Sequence, residues 1–163
     1  MTDADFETAF EQHHATVYRF AWRMLSSDAA RDVTQDVFLA LLRQPARFDP
    51  QRGSMRSFLL GIARNQCLKR LRSDRRWDEL DEERFVADPI ARFDGDTRDI
   101  VGAAVRSLPP LQREALILAH FEELSLEDIA GMAGATVGTI KSRLHRARTN
   151  LRVMLAPLKS HLL

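Results

Sequence analysis

Apolar residues recur at spacings of three and four along almost the whole chain, and the alternation that marks a strand is scarce. The pattern predicts an all-α protein, with helices over roughly 4–25, 28–43, 54–73, 97–107, 110–121, 126–132 and 137–155. Breaks fall at Ser26-Ser27, from Pro45 to Gly53 and at Pro109-Pro110. In the second helix Val33, Val37, Phe38, Leu41 and Leu42 are read as a core face, while Asp32, Gln35, Asp36 and Leu39 lie together on another side. In the third, Leu60, Ala63, Cys67 and Leu71 form an apolar row, and Asn65, Lys69, Arg72 and Arg76 a polar row. In the last, Val137, Ile140, Leu144, Ala147, Leu151 and Met154 share one side. The opposite side carries Thr139, Arg143, Arg146 and Asn150, flanked by Lys141, Ser142, His145, Arg148 and Arg152.

Charge sharpens this picture. The net charge of +1 averages over uneven blocks. From Arg52 to Arg76 eight basic residues face Asp74 alone, and from Trp77 to Asp99 the sign reverses with Asp78, Glu79, Asp81, Glu82, Glu83, Asp88, Asp94, Asp96 and Asp99. Pro89, Gly95 and weak periodicity mark this acidic block as a linker. The expected organisation is two small helical domains, residues 1–76 and 97–163, joined by an acidic linker over 77–96. Trp77, Leu80, Phe85, Ile90 and Phe93 make it more apolar than a free tether requires. Two roles fit it: spacing and solubility, or competition with DNA for the basic faces.

The segment from Leu124 to Arg152 reads as two helices joined by a turn of small residues, the second with an apolar and a basic face. That is the layout of a helix-turn-helix, which lays its second helix in the major groove of duplex DNA. Ser125 and Thr136 are the expected N-caps and Gly134 the expected left-handed turn residue. No acidic side chain follows Asp128, so nothing at this end repels phosphate. A solvated basic face on an ordinary surface helix is the plainer reading, but turn, caps and periodicity point independently to the motif.

The polar row of the third helix suits single-stranded DNA. Its cations hold phosphates, and the Asn65 amide pairs its donor and acceptor with a base edge. Phe58, at the start of that helix, either packs inward or stacks on an unpaired base. The leucine and two carboxylates of the 28–43 helix suit docking to a basic helix, and equally an unremarkable surface.

Here the chain meets a known family. RDVTQDVFLALLR, FDPQRGSMRSFLLGIARNQCLKRLRSDRR and SLPPLQREALILAHFEELSLEDIAGMAGATVGTIKSRLHRAR resemble, in that order, the extracytoplasmic-function group of the sigma-70 family of bacterial transcription initiation factors. The resemblance implies a first domain that binds core RNA polymerase and opens the −10 element, and a second that reads the −35 element. It puts Asp32, Gln35 and Asp36 on the coiled coil of the β′ clamp, and Leu39, on the same side by spacing, is counted with them. It puts Asn65 in a pocket for a flipped −10 base, with Arg64 and Phe58 close by; Lys69, Arg72 and Arg76, the cations of the same polar row, are then the expected contacts to the −10 phosphates. It puts Lys141, Ser142, Arg143 and Arg146 at the −35 groove, and Thr139, on the polar side by spacing, is counted with them. The implied partners are core polymerase (β′ clamp coiled coil and β flap), promoter DNA, and an anti-sigma factor or a regulatory Ser/Thr kinase. Phe58 departs from the family's usual tryptophan, and Arg31 stands where an acid is common. Thr34, in the polymerase-docking helix, is a candidate phosphorylation site, because phosphate would restore negative charge there.

The remaining classes have little support. Cys67 is alone, and His13, His14, His120, His145 and His161 show no metal-ligand spacing, so no metal or cofactor is expected. No nucleophile–base pair and no glycine-rich phosphate loop is legible, so no catalytic residue is expected. The acidic, polar N-terminus is unlike a signal peptide, and no apolar run reaches a membrane span, so a cytoplasmic location is expected. The principal alternative is a stand-alone helix-turn-helix regulator, whose first domain senses a signal or dimerises.

Overall fold

The computed structural model describes residues 1–73, 85–90 and 95–162, the last three by their backbone alone. The chain divides into two compact units, Met1–Ser73 and Asp74–Leu163. All regular structure among the described residues is helical. Arg76, Trp77, Leu80 and Phe93, with most of the acidic block, lie outside the described residues.

The first unit packs three helices, α1 (Asp3–Met24), α2 (Ser27–Arg43) and α3 (Met55–Ser73). Thr2 and Asp5 close a reciprocal capping box at the start of α1. Hydrogen bonding of its carboxylate to the Thr2 backbone N–H first, and then to the Thr2 side chain, favours the ionised form, so the Asp5 pKa lies below its ordinary value. A 3₁₀ turn at Pro45–Arg47 follows α2. Ser54 then caps α3, its hydroxyl accepting from Ser57 N–H at 3.0 Å. Val17, Phe20, Ala21 and Met24 of α1 are buried with Val33, Val37, Phe38 and Leu41 of α2 and Leu59, Leu60, Ala63, Cys67 and Leu68 of α3.

Two assignments to this core change. Leu42 is 52% exposed; it lies on the side of α2 that also carries Leu39 and Gln35, away from the buried row. Leu71 is half-buried, and Leu59 and Leu68 join the core beside the expected row. The apolar sector of α3 is thus wider than a single row at spacings of three and four, because the helix is wedged against both α1 and α2.

The second unit contains α4 (Thr97–Ser107), α5 (Pro110–Leu116), α6 (Leu126–Ala133) and α7 (Val137–Leu162). Asp96 caps α4, and Pro110 opens α5 at a position where no N–H is needed. The single helix expected over 110–121 is in fact α5 followed by a wider π-helical turn, Ile117–Phe121. Glu122 N–H donates to the Ile117 carbonyl at 3.0 Å, and Leu124 N–H to the Leu118 carbonyl at 3.0 Å. Glu123 takes a left-handed conformation (φ 56°) to close this end. Gly134 does the same between α6 and α7 (φ 62°), as the turn required.

Helix α7 runs seven residues beyond its expected end and contains Pro157. Proline cannot donate to the Val153 carbonyl one turn earlier, so a boundary near 155 was the natural expectation. Ile90, in the described stretch before α4, donates its N–H to the Met154 carbonyl at 3.0 Å. Leu158 beyond the proline is buried, so packing carries the helix past its weak point. Ile140, Leu144, Ala147 and Met154 are buried as expected, while Val137 and Leu151 are half-buried.

Candidate nucleic-acid interface

The helix-turn-helix is built from local signals. Ser125 accepts from Asp128 N–H at 3.1 Å, and Thr136 accepts from Thr139 N–H at 3.1 Å. Each cap satisfies an otherwise orphaned N–H and fixes where its helix starts. The Thr139 hydroxyl is also engaged, 2.9 Å from that of Thr136, and its side chain is half-buried. Lys141, Ser142 and Arg146 are exposed and Arg143 is half-buried. Asn150, read as part of the same polar side, is turned elsewhere: its Nδ2 donates to Gln112 Oε1 at 2.8 Å, and Gln112 is buried.

An open groove of about 790 Å³ lies where α4 and the segment from Leu116 to Phe121 meet the C-terminal half of α7. Val101, Val105, Leu116, Phe121, Leu151 and Leu155 give it an apolar floor, and Arg148, Arg152 and Lys159 stand among its lining residues. Sequence periodicity placed Leu151 on the core side but gave no sign that the floor is left open.

In the first unit, α3 presents Asn65, Lys69 and Arg72 exposed on one side. Arg64, half-buried, donates from Nη1 to Asn65 Oδ1 at 3.2 Å, which engages the amide oxygen and keeps the NH₂ as the donor end of the side chain. Phe58 is half-buried, with its ring centroid 5.4 Å from that of Phe48 and the planes tilted by 59°. Phe48 was missed because it lies in a loop, where periodicity carries no information.

On α2, Asp32, Gln35 and Leu39 are exposed and Asp36 is half-buried. Arg70 of α3 donates to the Asp36 carboxylate at 3.3 Å. Exposed Leu42 extends the stripe, and Phe10 of α1, also exposed, has its ring centroid 5.0 Å from that of Phe38 of α2. Thr34 is half-buried, and its hydroxyl donates back to the Ala30 carbonyl at 2.7 Å. His13, on α1, lies near Arg56; burial first, and then that cation, holds its pKa below the ordinary value near 6.5.

Two helical units, each displaying a cationic helix face and one of them a capped helix-turn-helix, define a modular DNA-binding protein. Residues 9–77 match the family model for sigma-70 region 2, and residues 98–151 that for sigma-70 region 4. The chain is 31% identical over 159 residues to the RNA polymerase sigma factor CarQ of Myxococcus xanthus, covering 94% of this chain and 91% of that protein. It is 34% identical over 157 residues to the ECF RNA polymerase sigma factor SigE of Mycolicibacterium smegmatis, covering 89% of this chain but 59% of that longer protein. Its fold is similar to that of the sigma factor RpoE of Bartonella quintana in complex with the anti-sigma factor NepR, with a TM-score of 0.74 and 29% identity over 93% of this chain and 97% of that one. The chain belongs to the sigma-70 family of RNA polymerase sigma factors, in its extracytoplasmic-function group. No helix among the described residues is long and apolar enough to cross a membrane.

Proposed function

We propose that the chain directs core RNA polymerase to promoters by holding two separated DNA elements, one with each unit. The observation that carries this reading is the N-terminal half of α7, where Arg143 and Arg146 share a side flanked by Lys141 and Ser142, set by two caps and a left-handed glycine and followed by no acidic residue. Those residues meet the −35 major groove, where arginine pairs with guanine edges and the cations neutralise phosphates.

The first unit then supplies the opening step. Asp32, Gln35, Asp36 and Leu39, with Leu42, dock on the basic coiled coil of the β′ clamp. Asn65 takes the edge of an unstacked −10 base, with Phe58 and Phe48 as an aromatic wall and Lys69 and Arg72 on the strand. Unstacking costs a few kcal/mol, so a pocket that favours one base turns that cost into sequence selection. The chain supplies no catalytic group; the polymerase makes the RNA, and the complex works in the cytoplasm. The open groove of the second unit suits an amphipathic segment with apolar residues and acids, as a β flap helix or an anti-sigma protein supplies. A kinase acting on Thr34 has to break the bond to Ala30 before it can modify the hydroxyl.

Run-off transcription by core polymerase on a randomised promoter library tests the proposal. The chain is expected to create discrete start sites preceded by two recurrent elements. A stand-alone regulator instead binds its duplex tightly without polymerase and creates no new start sites, and that result removes the proposal.

A further inference from the structure

The second unit ties a helix with no proposed DNA contact to the helix that has all of its proposed −35 contacts. Gln112 of α5 is 1% exposed, and its Oε1 accepts from Asn150 Nδ2 of α7 at 2.8 Å. Asn150 is half-buried and lies one turn beyond Arg146, on the polar side of the helix by spacing.

The partner of this bond is itself held firmly. Arg113, the next residue, is buried, and its Nε and Nη2 donate to the Leu108 carbonyl at 3.2 and 2.8 Å. That fork fastens the start of α5 to the corner at Pro109-Pro110. Gln112 therefore projects from a fixed base.

The apolar contacts of α7 constrain it differently. Ile140, Leu144, Ala147 and Met154 bury the helix, but burial is non-directional and tolerates a small rotation or slide. A hydrogen bond weakens steeply with angle and distance, and an unpaired buried amide is costly. The amide pair is thus a directional constraint on α7 that apolar packing does not provide.

We propose that Gln112 and Asn150 are positioning residues that set the rotation and register of α7, and so the direction in which Arg143 and Arg146 meet the −35 base edges. The inference rests on the reading of α7 as the −35 helix. Asn150 acts here as a strut between helices, not as a reader of DNA.

The test uses holoenzyme and two kinds of duplex: one selected from a randomised −35 library by the unaltered protein, and its single-base variants. Gln112→Met keeps the volume of the side chain without the acceptor, and Asn150→Ala removes the donor. Each is expected to lower the affinity ratio between selected and variant duplexes by about five-fold or more. The salt dependence should stay within about half a unit of slope, since the number of neutralised phosphates is unchanged. The double variant should be no worse than the more affected single one, because both remove the same bond. Gln112→Glu retains an acceptor and should recover most of the ratio.

An unchanged ratio in Gln112→Met overturns the inference. So does an Asn150→Ala variant that loses affinity for the selected duplex while Gln112→Met is inert, since Asn150 then touches DNA itself. If native holoenzyme selects no −35 sequence, the reading of α7 falls and the inference with it; selection with indifferent variants removes the inference alone.

Discussion

The guanidinium of Arg70 lies 3.3 Å from the carboxylate of Asp36, joining α3 to the acidic stripe of α2. Both side chains are more than a third exposed, so solvent screens the pair and its net worth is about 0–1 kcal/mol. Arg70→Gln should therefore barely move the thermal unfolding midpoint. Asp36→Lys should leave the circular dichroism spectrum intact and yet reduce binding to core polymerase by about ten-fold or more, because it sets like charges against a basic coiled coil. Native affinity in Asp36→Lys would remove Asp36 from the docking face.

Asn65 separates two steps that are easily confused. Its amide oxygen accepts from Arg64 at 3.2 Å, the residue is exposed on α3, and it is a proposed −10 contact rather than one of the proposed polymerase contacts of α2. Asn65→Ala should keep native affinity for core polymerase and slow promoter opening, followed by permanganate reactivity of unpaired thymines. Weakened polymerase binding would instead make Asn65 structural.

The proposed −35 contact is read best through salt. A cation that neutralises one phosphate contributes about 0.9 to the slope of log affinity against log salt. Arg146→Ala in holoenzyme should flatten that slope by about one unit or less on a −35 duplex. A slope equal to the native one would take Arg146 out of the interface.

His13 gives the first unit a pH dependence of defined sign. Burial and Arg56 hold its folded pKa below the ordinary value near 6.5. Between those two values the unfolded chain binds more protons than the folded one, so stability falls as pH drops through that window and levels off below the folded pKa. Melting of the native protein between about pH 5 and pH 7.5 should show this loss, and His13→Gln should lessen it. An equal loss in the variant would assign the effect to other groups.

Gly134 turns the chain between α6 and α7 at φ 62°, and a Cβ placed there meets nothing within 4 Å. The cost of Gly134→Ala is therefore backbone strain alone, about 1–2 kcal/mol. The second unit should melt a few degrees earlier, and −35 binding should weaken in proportion to the unfolded fraction. A native melting temperature would mean that the turn relaxes to another conformation.

The helices, their caps and the polar stripes were legible in the sequence because they are local. Ser125, Thr136 and Gly134 act within four residues of themselves, and spacings of three and four fix which residues of α2, α3 and α7 share a side. Periodicity orders residues around a helix but does not say how far a neighbour reaches across each side. Tertiary packing decided that Leu42 stays exposed, that Leu151 lines an open groove, that Phe48 meets Phe58, and that Asn150 turns inward to Gln112. Packing also carries α7 through Pro157, where local propensity alone ends a helix. Each of these outcomes depends on contacts between residues distant in the chain or on side-chain direction, neither of which a one-dimensional pattern records.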